Sequence, residues 1–396
     1  MFSRRDFLTR TSLISLSPVL PAFLSRLAAG TEAQVDERIL VVIELSGGND
    51  GLNTVIPYAN ERYPEFRKTL RIPDADIIKL NDEIGLHPQL KAAAELLEDG
   101  RLGIVQGVGY PNPNRSHFRS MAIWHSARLD AEEHTGQGWL GRAMDSRTSQ
   151  QSQHPDSVFI GDGNIPAAIV GRRSNPISLN NEEELLLTAG LSGATHSRLD
   201  SDLDSFLSQT VDSSFEAARQ FAEVAEKQAP GTGGYPNNQL GRKLKLMANM
   251  IRLRTGTRIF YVSQGGYDTH SAQLGTHQQL LREFSTSLKA FLDHMQATGF
   301  GKQVVVLAFS EFGRRVGENA SAGTDHGTAG PVFVAGESVK SGLLGTTPSL
   351  TTLDDNEDLI ATVDFRQIYA SILQDWLNIE PANALDGNFA PLRVVG

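Results

Sequence analysis

The stretch GGYDTHSAQ, residues 265–273, sets an aspartate, a threonine and a histidine directly behind the apolar run RIFYVS. That run reads as a buried strand, so Asp268, Thr269 and His270 fall where a strand ends and a loop begins. Taken alone, the triplet is open between a capping aspartate and half of a metal site. Loops beside four other apolar runs carry the same residue types. SGGNDGLNT follows LVVIEL with Asp50 and Asn53, and PNPNRSHFRS follows the run 101–108 with Asn114, Arg115, Ser116 and His117. SEFGRR follows VVVLAF with Glu311 and Arg314, and GTDHGTA precedes GPVFVAG with Asp325 and His326. Turns favour Gly, Asn, Asp and Ser for conformational reasons, but not a glutamate or histidine beside them. Acids and imidazoles on separate strand ends are the donors a hard or borderline dication requires where thiolates are lacking, and this chain has no cysteine.

Each motif also has a plainer account. GGNDG fits a glycine turn with positive φ, and it lacks the G-x-G-x-x-G spacing of a dinucleotide fold, which argues against a nicotinamide or flavin enzyme. Asn53 either holds a metal or substrate oxygen or caps the segment that follows. Arg115 and Arg314 have the planar fork that matches phosphate and sulfate, although a GRR sequence after a strand is equally a solvated cap. His117 stands beside Ser116 as a further substrate contact. His277, seven residues past His270 in a helical pattern, is a secondary ligand candidate, whereas His125, His134, His154 and His294 read as surface or core residues.

These loops need strands to hold them. RILVVIEL (38–45) is a continuous apolar run of strand length, as buried parallel strands are. Residues 87–100 have apolar positions at helical spacing and end on Gly100, and the run 101–108 returns as a strand, giving a β-α-β unit. Residues 157–171 read as two short strands or a hairpin, and 181–235 as an inserted helical cap. Beyond the Gly/Pro/Asn loop 232–238 come a helix over 239–253, the strand RIFYVS, a helix over 272–297, strands at 303–309 and 330–336, and a closing helix over 364–377. Strands alternating with helices predict a single α/β domain over 36–396, a mostly parallel sheet sandwiched by helices. Ligands of such sheets lie outside the carboxyl ends of the strands, where the chemistry-bearing loops fall.

The first thirty residues stand apart from this pattern. SRRDFLT and a moderately apolar run ending in small residues read as a secretory leader of the twin-arginine type, over 1–30. Ser, Pro and Arg26 interrupt the apolar run, which argues against a stable membrane span. The leader carries Arg4, Arg5, Arg10 and Arg26 against Asp6, or +3; subtracted from −10, it leaves a mature chain near −13. An acidic surface of that size argues against nucleic acid and anionic lipid as principal partners. The expected location is periplasmic or secreted, with the twin-arginine machinery as a partner in export.

The leader, LVVIELSGGNDGLNTVIPY, PNPNRSHF, GGYDTHSAQ, SEFGRR and TDHGTAGPVFVAG together resemble the bacterial secreted family known as domain of unknown function 1501. That family is similar to a branch of the alkaline phosphatase and sulfatase superfamily. The resemblance implies an alkaline phosphatase-like fold, one or two dications at the strand ends, and attack on phosphate or sulfate esters by a Ser, Thr or formylglycine nucleophile. By position it implies Asp50, Asp268, His270, Glu311 and His326 as metal ligands, with Asp325 assisting, and Ser116 as nucleophile. Glu311 stands where the superfamily has Asp followed by His, and Phe312 replaces that histidine. One metal, or a pair with a harder ion such as Mg²⁺, Mn²⁺ or Ca²⁺ beside Zn²⁺, suits the oxygen-rich set so implied. Two functions follow as expectations. One is a metal-dependent hydrolase of anionic phosphate or sulfate esters; the other is a metal-stabilised, non-catalytic binding or assembly protein of the periplasm.

Overall fold

A computed structural model describes residues 38–130, 136–147, 155–174, 176–180 and 234–396. The expected leader, residues 181–233 of the expected cap, and His134 and His154 lie outside the described residues. The strands in chain order are β1 (Ile39–Leu45), β2 (Val55–Ile56), β3 (Ile78–Lys79), β4 (Gly85–Leu86), β5 (Leu102–Gly109) and β6 (Ser157–Ile160), followed by β7 (Pro176–Leu179), β8 (Ile259–Gln264), β9 (Val304–Phe309), β10 (Gly330–Ala335), β11 (Gly342–Gly345) and β12 (Val363–Asp364). The main helices are α1 (Lys91–Glu98), α2 (His117–Ser126), α3 (Trp139–Arg147), α4 (Gln239–Arg252), α5 (Gln273–Ala297) and α6 (Phe365–Ser371), which runs on as a π-helical stretch, Ile372–Leu377.

The main sheet has the order β11-β5-β10-β9-β1-β8-β6-β7, with β12 added on β5. Every pairing in it is parallel except those of β10, which runs antiparallel to both β5 and β9. The strands alternate between two cores. In β1, Val41, Ile43 and Leu45 pack on the face covered by α1, α4 and α5, while Leu40 and Val42 pack on the face covered by α2, α3 and α6. Burial on both faces explains why the strand sequences read as unbroken apolar runs. The long α5 follows the same logic, since Leu281, Phe284, Leu288, Phe291, Leu292 and Met295 recur at helical spacing and are buried.

Two local expectations change. The run AAIVG is a single 3₁₀ turn over Ala167–Ile169, and the partner of β6 is β7, which pairs with it in parallel. A two-strand hairpin there would have been antiparallel. The unit β1-α1-β5 does have parallel strands, but β9 and β10 lie between them in the sheet.

The reversed direction of β10 shapes the functional edge. β1, β5, β8 and β9 all leave the sheet on one side, and an antiparallel strand enters from that same side. The loop ahead of β10, with Asp325 and His326, is thereby delivered to the carboxyl edge of the parallel strands. A short antiparallel pairing fixes it there: Gly313 N–H donates to Thr328 O at 2.8 Å, Arg315 N–H to Asp325 O at 3.0 Å and Gly327 N–H to Gly313 O at 2.9 Å.

Candidate metal centre

Four side chains from three separate loops meet at this edge. His117 begins α2, Asp268 and His270 follow β8, and His326 precedes β10. His326 Nε2 lies 3.0 Å from His117 Nε2, 2.9 Å from His270 Nε2 and 3.1 Å from Asp268 Oδ1. Asp268 Oδ1 is 3.0 Å from His270 Nε2 and 3.4 Å from His117 Nε2. His117, Asp268 and His326 offer donor atoms all within 4.8 Å of one another, and His270 abuts two of those three.

The opposite nitrogen of each imidazole is held by an acceptor, which fixes the tautomer. His117 Nδ1 is 2.7 Å from Glu311 Oε1, His270 Nδ1 is 2.9 Å from Asp325 Oδ1, and His326 Nδ1 is 2.7 Å from the carbonyl of Arg115. Carbonyl and carboxylate oxygens only accept, so each Nδ1 carries the hydrogen and each Nε2 keeps its lone pair. The lone pairs of His117 and His270 therefore each face His326 Nε2 and Asp268 Oδ1 at 2.9–3.4 Å, an arrangement that needs a proton or a cation between them. Donor spacings of about 3.3 Å are what a four-coordinate ion with bonds of about 2.0–2.1 Å demands. Carboxylate or carbonyl partners behind ligating histidines are the usual outer shell of such centres. The donor set fits a dication.

Charge is organised around the same atoms. Partial burial pushes the Asp268 carboxyl up, but the hydrogen bond from the Arg314 guanidinium and its charge outweigh it, and the group is held at about 2. The hydrogen bond to Glu311 raises His117 above its ordinary value. Glu311 is itself 1 % exposed, and it accepts from Gly47 N–H at 2.9 Å, Gly48 N–H at 3.2 Å and Ser310 Oγ at 3.0 Å. Gly47 and Gly48 have φ of +121° and +80°, and a Cβ on Gly47 would sit 2.4 Å from the backbone nitrogen of Asp268. The glycine turn thus builds the pocket for the carboxylate that orients His117.

The family described as "Protein of unknown function (DUF1501)" matches residues 37–376. The chain belongs to this family. A search of curated proteins finds no match. Among solved structures, this DUF1501 protein is similar to the lipoteichoic acid synthase LtaP of Listeria monocytogenes, at 7% identity over 82% of this chain and 73% of that one, with a TM-score of 0.36. It is similar to the PsFucS1 sulfatase of Pseudoalteromonas sp., at 9% identity, 91% and 72% coverage and a TM-score of 0.39. It is also similar to the alkaline phosphatase of the Antarctic bacterium TAB5, at 11% identity, 76% and 92% coverage and a TM-score of 0.30. At such scores the site must be judged on its own geometry.

That geometry departs from several expected roles in the DUF1501 chain. Asp50 and Arg67 form a fully buried ion pair at 2.5 Å, and Gln273 Nε2 donates to the same carboxylate at 2.5 Å. Burial pushes Asp50 up, but Arg67 holds it below its ordinary value. Its charge is already neutralised, so Asp50 stands apart from the histidine cluster. Asn53 is likewise spent on structure, donating to Leu70 O at 2.7 Å and accepting from Tyr63 Oη at 2.9 Å. Glu311 and Asp325 back the imidazoles and do not converge with them. The donors that meet are three nitrogens and one oxygen, in contrast to the oxygen-rich set expected from the sequence.

Neither expected arginine is free to grip an anion. Arg314 is buried and donates to Gly48 O, Thr324 O, Gly47 O, Tyr267 O and Asp268 Oδ1, at 2.7–3.0 Å. It ties the four loops together and aims Asp268. Arg115 pairs with Asp358 and lies 3.8 Å from Asp354. His277 is buried against Asn49 Oδ1 at 3.0 Å, away from the cluster. His117, expected at the substrate, is instead a cluster member, and its place on a strand-end loop was the only sequence sign of this. Phe312 packs its ring 4.9 Å from that of His117 and 5.0 Å from that of His326, so an apolar wall stands beside the cluster. Ser116 is exposed at the start of α2, and its side chain makes no capping hydrogen bond.

Proposed function

We propose that this protein is an exported, single-metal hydrolase of phosphate or sulfate esters with an alkaline phosphatase-like fold. The observation that carries the reading is a set of three tautomer-fixed imidazoles in which His117 and His270 each turn an Nε2 lone pair toward His326 Nε2 and Asp268 Oδ1. His117, Asp268, His270 and His326 would hold the ion, and three nitrogens with one carboxylate favour Zn²⁺ over Mg²⁺ or Ca²⁺. A dication bound there supplies Lewis-acid polarisation of an ester oxygen and lowers the pKa of a neighbouring hydroxyl or water. Phe312, together with the ion-paired Asp50, argues against a second metal.

The chain's own residues account for the rest. Arg314 keeps Asp268 ionised and aimed, and Glu311, Asp325 and the Arg115 carbonyl keep the imidazoles in the ligating tautomer. Ser116 is the proposed nucleophile: its Oγ is uncommitted, and its backbone N–H is held by Asn114 Oδ1 at 2.8 Å. Attack of that Oγ on phosphorus or sulfur forms the Ser116 ester and breaks the bond to the alcohol, which leaves with the serine proton. Water then cleaves the Ser116 ester, releasing phosphate or sulfate and restoring the hydroxyl. The twin-arginine pattern supports export, and among the described residues no helix is long and apolar enough to cross a membrane. The commitment of Arg115 and Arg314 to other partners favours a second reading, a metal-stabilised binding or assembly protein without catalysis.

Elemental analysis of natively purified protein, followed by chromogenic phosphate mono- and diesters and sulfate esters with the metal found, tests both. About one equivalent of dication and saturable ester cleavage are expected. Absence of metal overturns both readings; metal without cleavage selects the second.

A further inference from the structure

A cavity of about 650 Å³ with no assigned occupant is walled by segments that lead to the histidine cluster. It sits well inside the roughly 300–1,000 Å³ of small-ligand pockets. Its wall is continuous with the cluster through the chain. Thr328, two residues past His326, lines it, as does Tyr110, whose Oη bonds Asn114 in the segment leading to Ser116 and His117. No lysine or arginine lines it, and its carboxylates are already engaged. Asp354 Oδ1 accepts from Asn356 and Asp358 N–H at 2.8 Å while its Oδ2 lies 3.8 Å from the Arg115 guanidinium, and Asp364 pairs with Arg366 at 2.6 Å. The cavity therefore offers no cation to an anion and no spare charge to a cation.

What it does offer is one braced aromatic ring and free amides. The Arg366 guanidinium carbon sits 4.3 Å over the Phe389 ring, which is half-buried and also packs on the core. Asn112 and Asn388 line the cavity, are exposed, and have no hydrogen-bond partner among the described residues. Ile360, 46 % exposed, adds an apolar surface. A ring to stack on, amides that each both donate and accept, and no net charge match a neutral polyhydroxylated ring, which alternates C–H faces with hydroxyls. A lipid chain would want a continuous apolar lining, which these amides interrupt.

We propose that this cavity binds a neutral carbohydrate unit, with Phe389 as the stacking platform and Asn112 and Asn388 as hydroxyl-reading groups. Its use as the alcohol side of a sugar ester rests on the hydrolase reading above; its capacity to bind sugar does not. The test is titration of the mature full-length protein with methyl glycosides of glucose, galactose, mannose and N-acetylglucosamine and with neutral disaccharides, followed by saturation-transfer NMR. At least one should bind saturably at millimolar concentration or below. Phe389→Ala should weaken binding about tenfold, as loss of one aromatic contact implies, with metal content unchanged. If Phe389→Ala misfolds, the exposed pair Asn112→Ala and Asn388→Ala decides, and it too should weaken binding. Absence of saturable binding by every saccharide, binding indifferent to these substitutions, or preference for an alkyl glycol over all sugars would overturn the proposal. Sugar binding without ester cleavage sinks the hydrolase reading alone, and cleavage without sugar binding sinks this one alone.

Discussion

At the scale of the residue, the cluster depends as much on what stands behind the imidazoles as on the imidazoles. Glu311 accepts from two glycine N–H groups and from His117 Nδ1–H. Glu311→Gln would turn an amide NH₂ toward those N–H donors or toward His117, leaving one buried donor unsatisfied. We expect about 1–3 kcal/mol lost in thermal unfolding and metal affinity down about 10–100-fold by competition with a chelating dye. His326→Ala, which removes the atom at the centre of the contacts, should abolish stoichiometric metal. Ser116 separates catalysis from binding. As a mere N-cap, its loss costs about 1 kcal/mol, less here since no capping bond is formed. As the nucleophile, Ser116→Ala should keep the metal and lose several orders of magnitude in initial rate at matched occupancy. Retention of more than about a tenth of the rate, a barrier change below about 1.4 kcal/mol, would exclude it as nucleophile.

At the scale of the element, loops are held by buried charge. Arg67, from the segment after the short helix Arg62–Phe66, reaches back to Asp50 at the N-cap of the one-turn helix Gly51–Thr54 and donates to Val316 O at 2.7 Å and Arg315 O at 2.9 Å. Three loops of the functional edge are joined by this one side chain. Arg67→Met leaves the Asp50 charge buried without its partner, and we expect about 3–5 kcal/mol of destabilisation in denaturant unfolding. Asp50→Asn with Arg67→Met should recover part of it, since no uncompensated charge then remains. The start of α5 shows the same economy: Ala272 and Gln273 N–H donate to Ser321 O and Ala322 O, so the loop before His326 caps the helix after His270.

At the scale of the whole molecule, we expect global stability to depend on pH and on the proposed metal. His277 and His87 are buried, and burial holds them at about 4 and about 3. Both stay neutral in the fold while the unfolded chain takes up protons near pH 6.5. Their contribution is complete above that pH and is lost as pH falls toward the folded values, because the unfolded state then binds more protons. Between pH 7 and pH 5 the loss from His277 alone is about 2 kcal/mol. His277→Gln, which can still bond Asn49, should flatten the acid limb of a melting-temperature profile. Chelator should lower the melting temperature as well, since a ligand of the folded state alone raises stability by mass action. An unchanged midpoint would count against a tight site.

The sequence alone determined which loops reach the carboxyl edge of the sheet. Unbroken apolar runs mark strands buried on both faces, and acids, imidazoles and a serine directly after them mark the carboxyl edge, because both signals are local. The strands expected at 38–45, 101–108, 258–263, 303–309 and 330–336 are all present to within a residue or so at their ends. The partition of roles within the site was not local. Asp50 and His270 look equally like ligands in sequence, yet only the fold sets Arg67, seventeen residues away in the chain, against the first and leaves the second facing His326. His117 became a cluster member, and Glu311 its support, because β9 and α2 meet across 194 residues of chain. The direction of β10 was likewise invisible, since an apolar run reads the same in a parallel and an antiparallel strand. Pairing partners, and with them the neutralisation of one carboxylate and the freedom of another, are long-range facts that only tertiary structure decides.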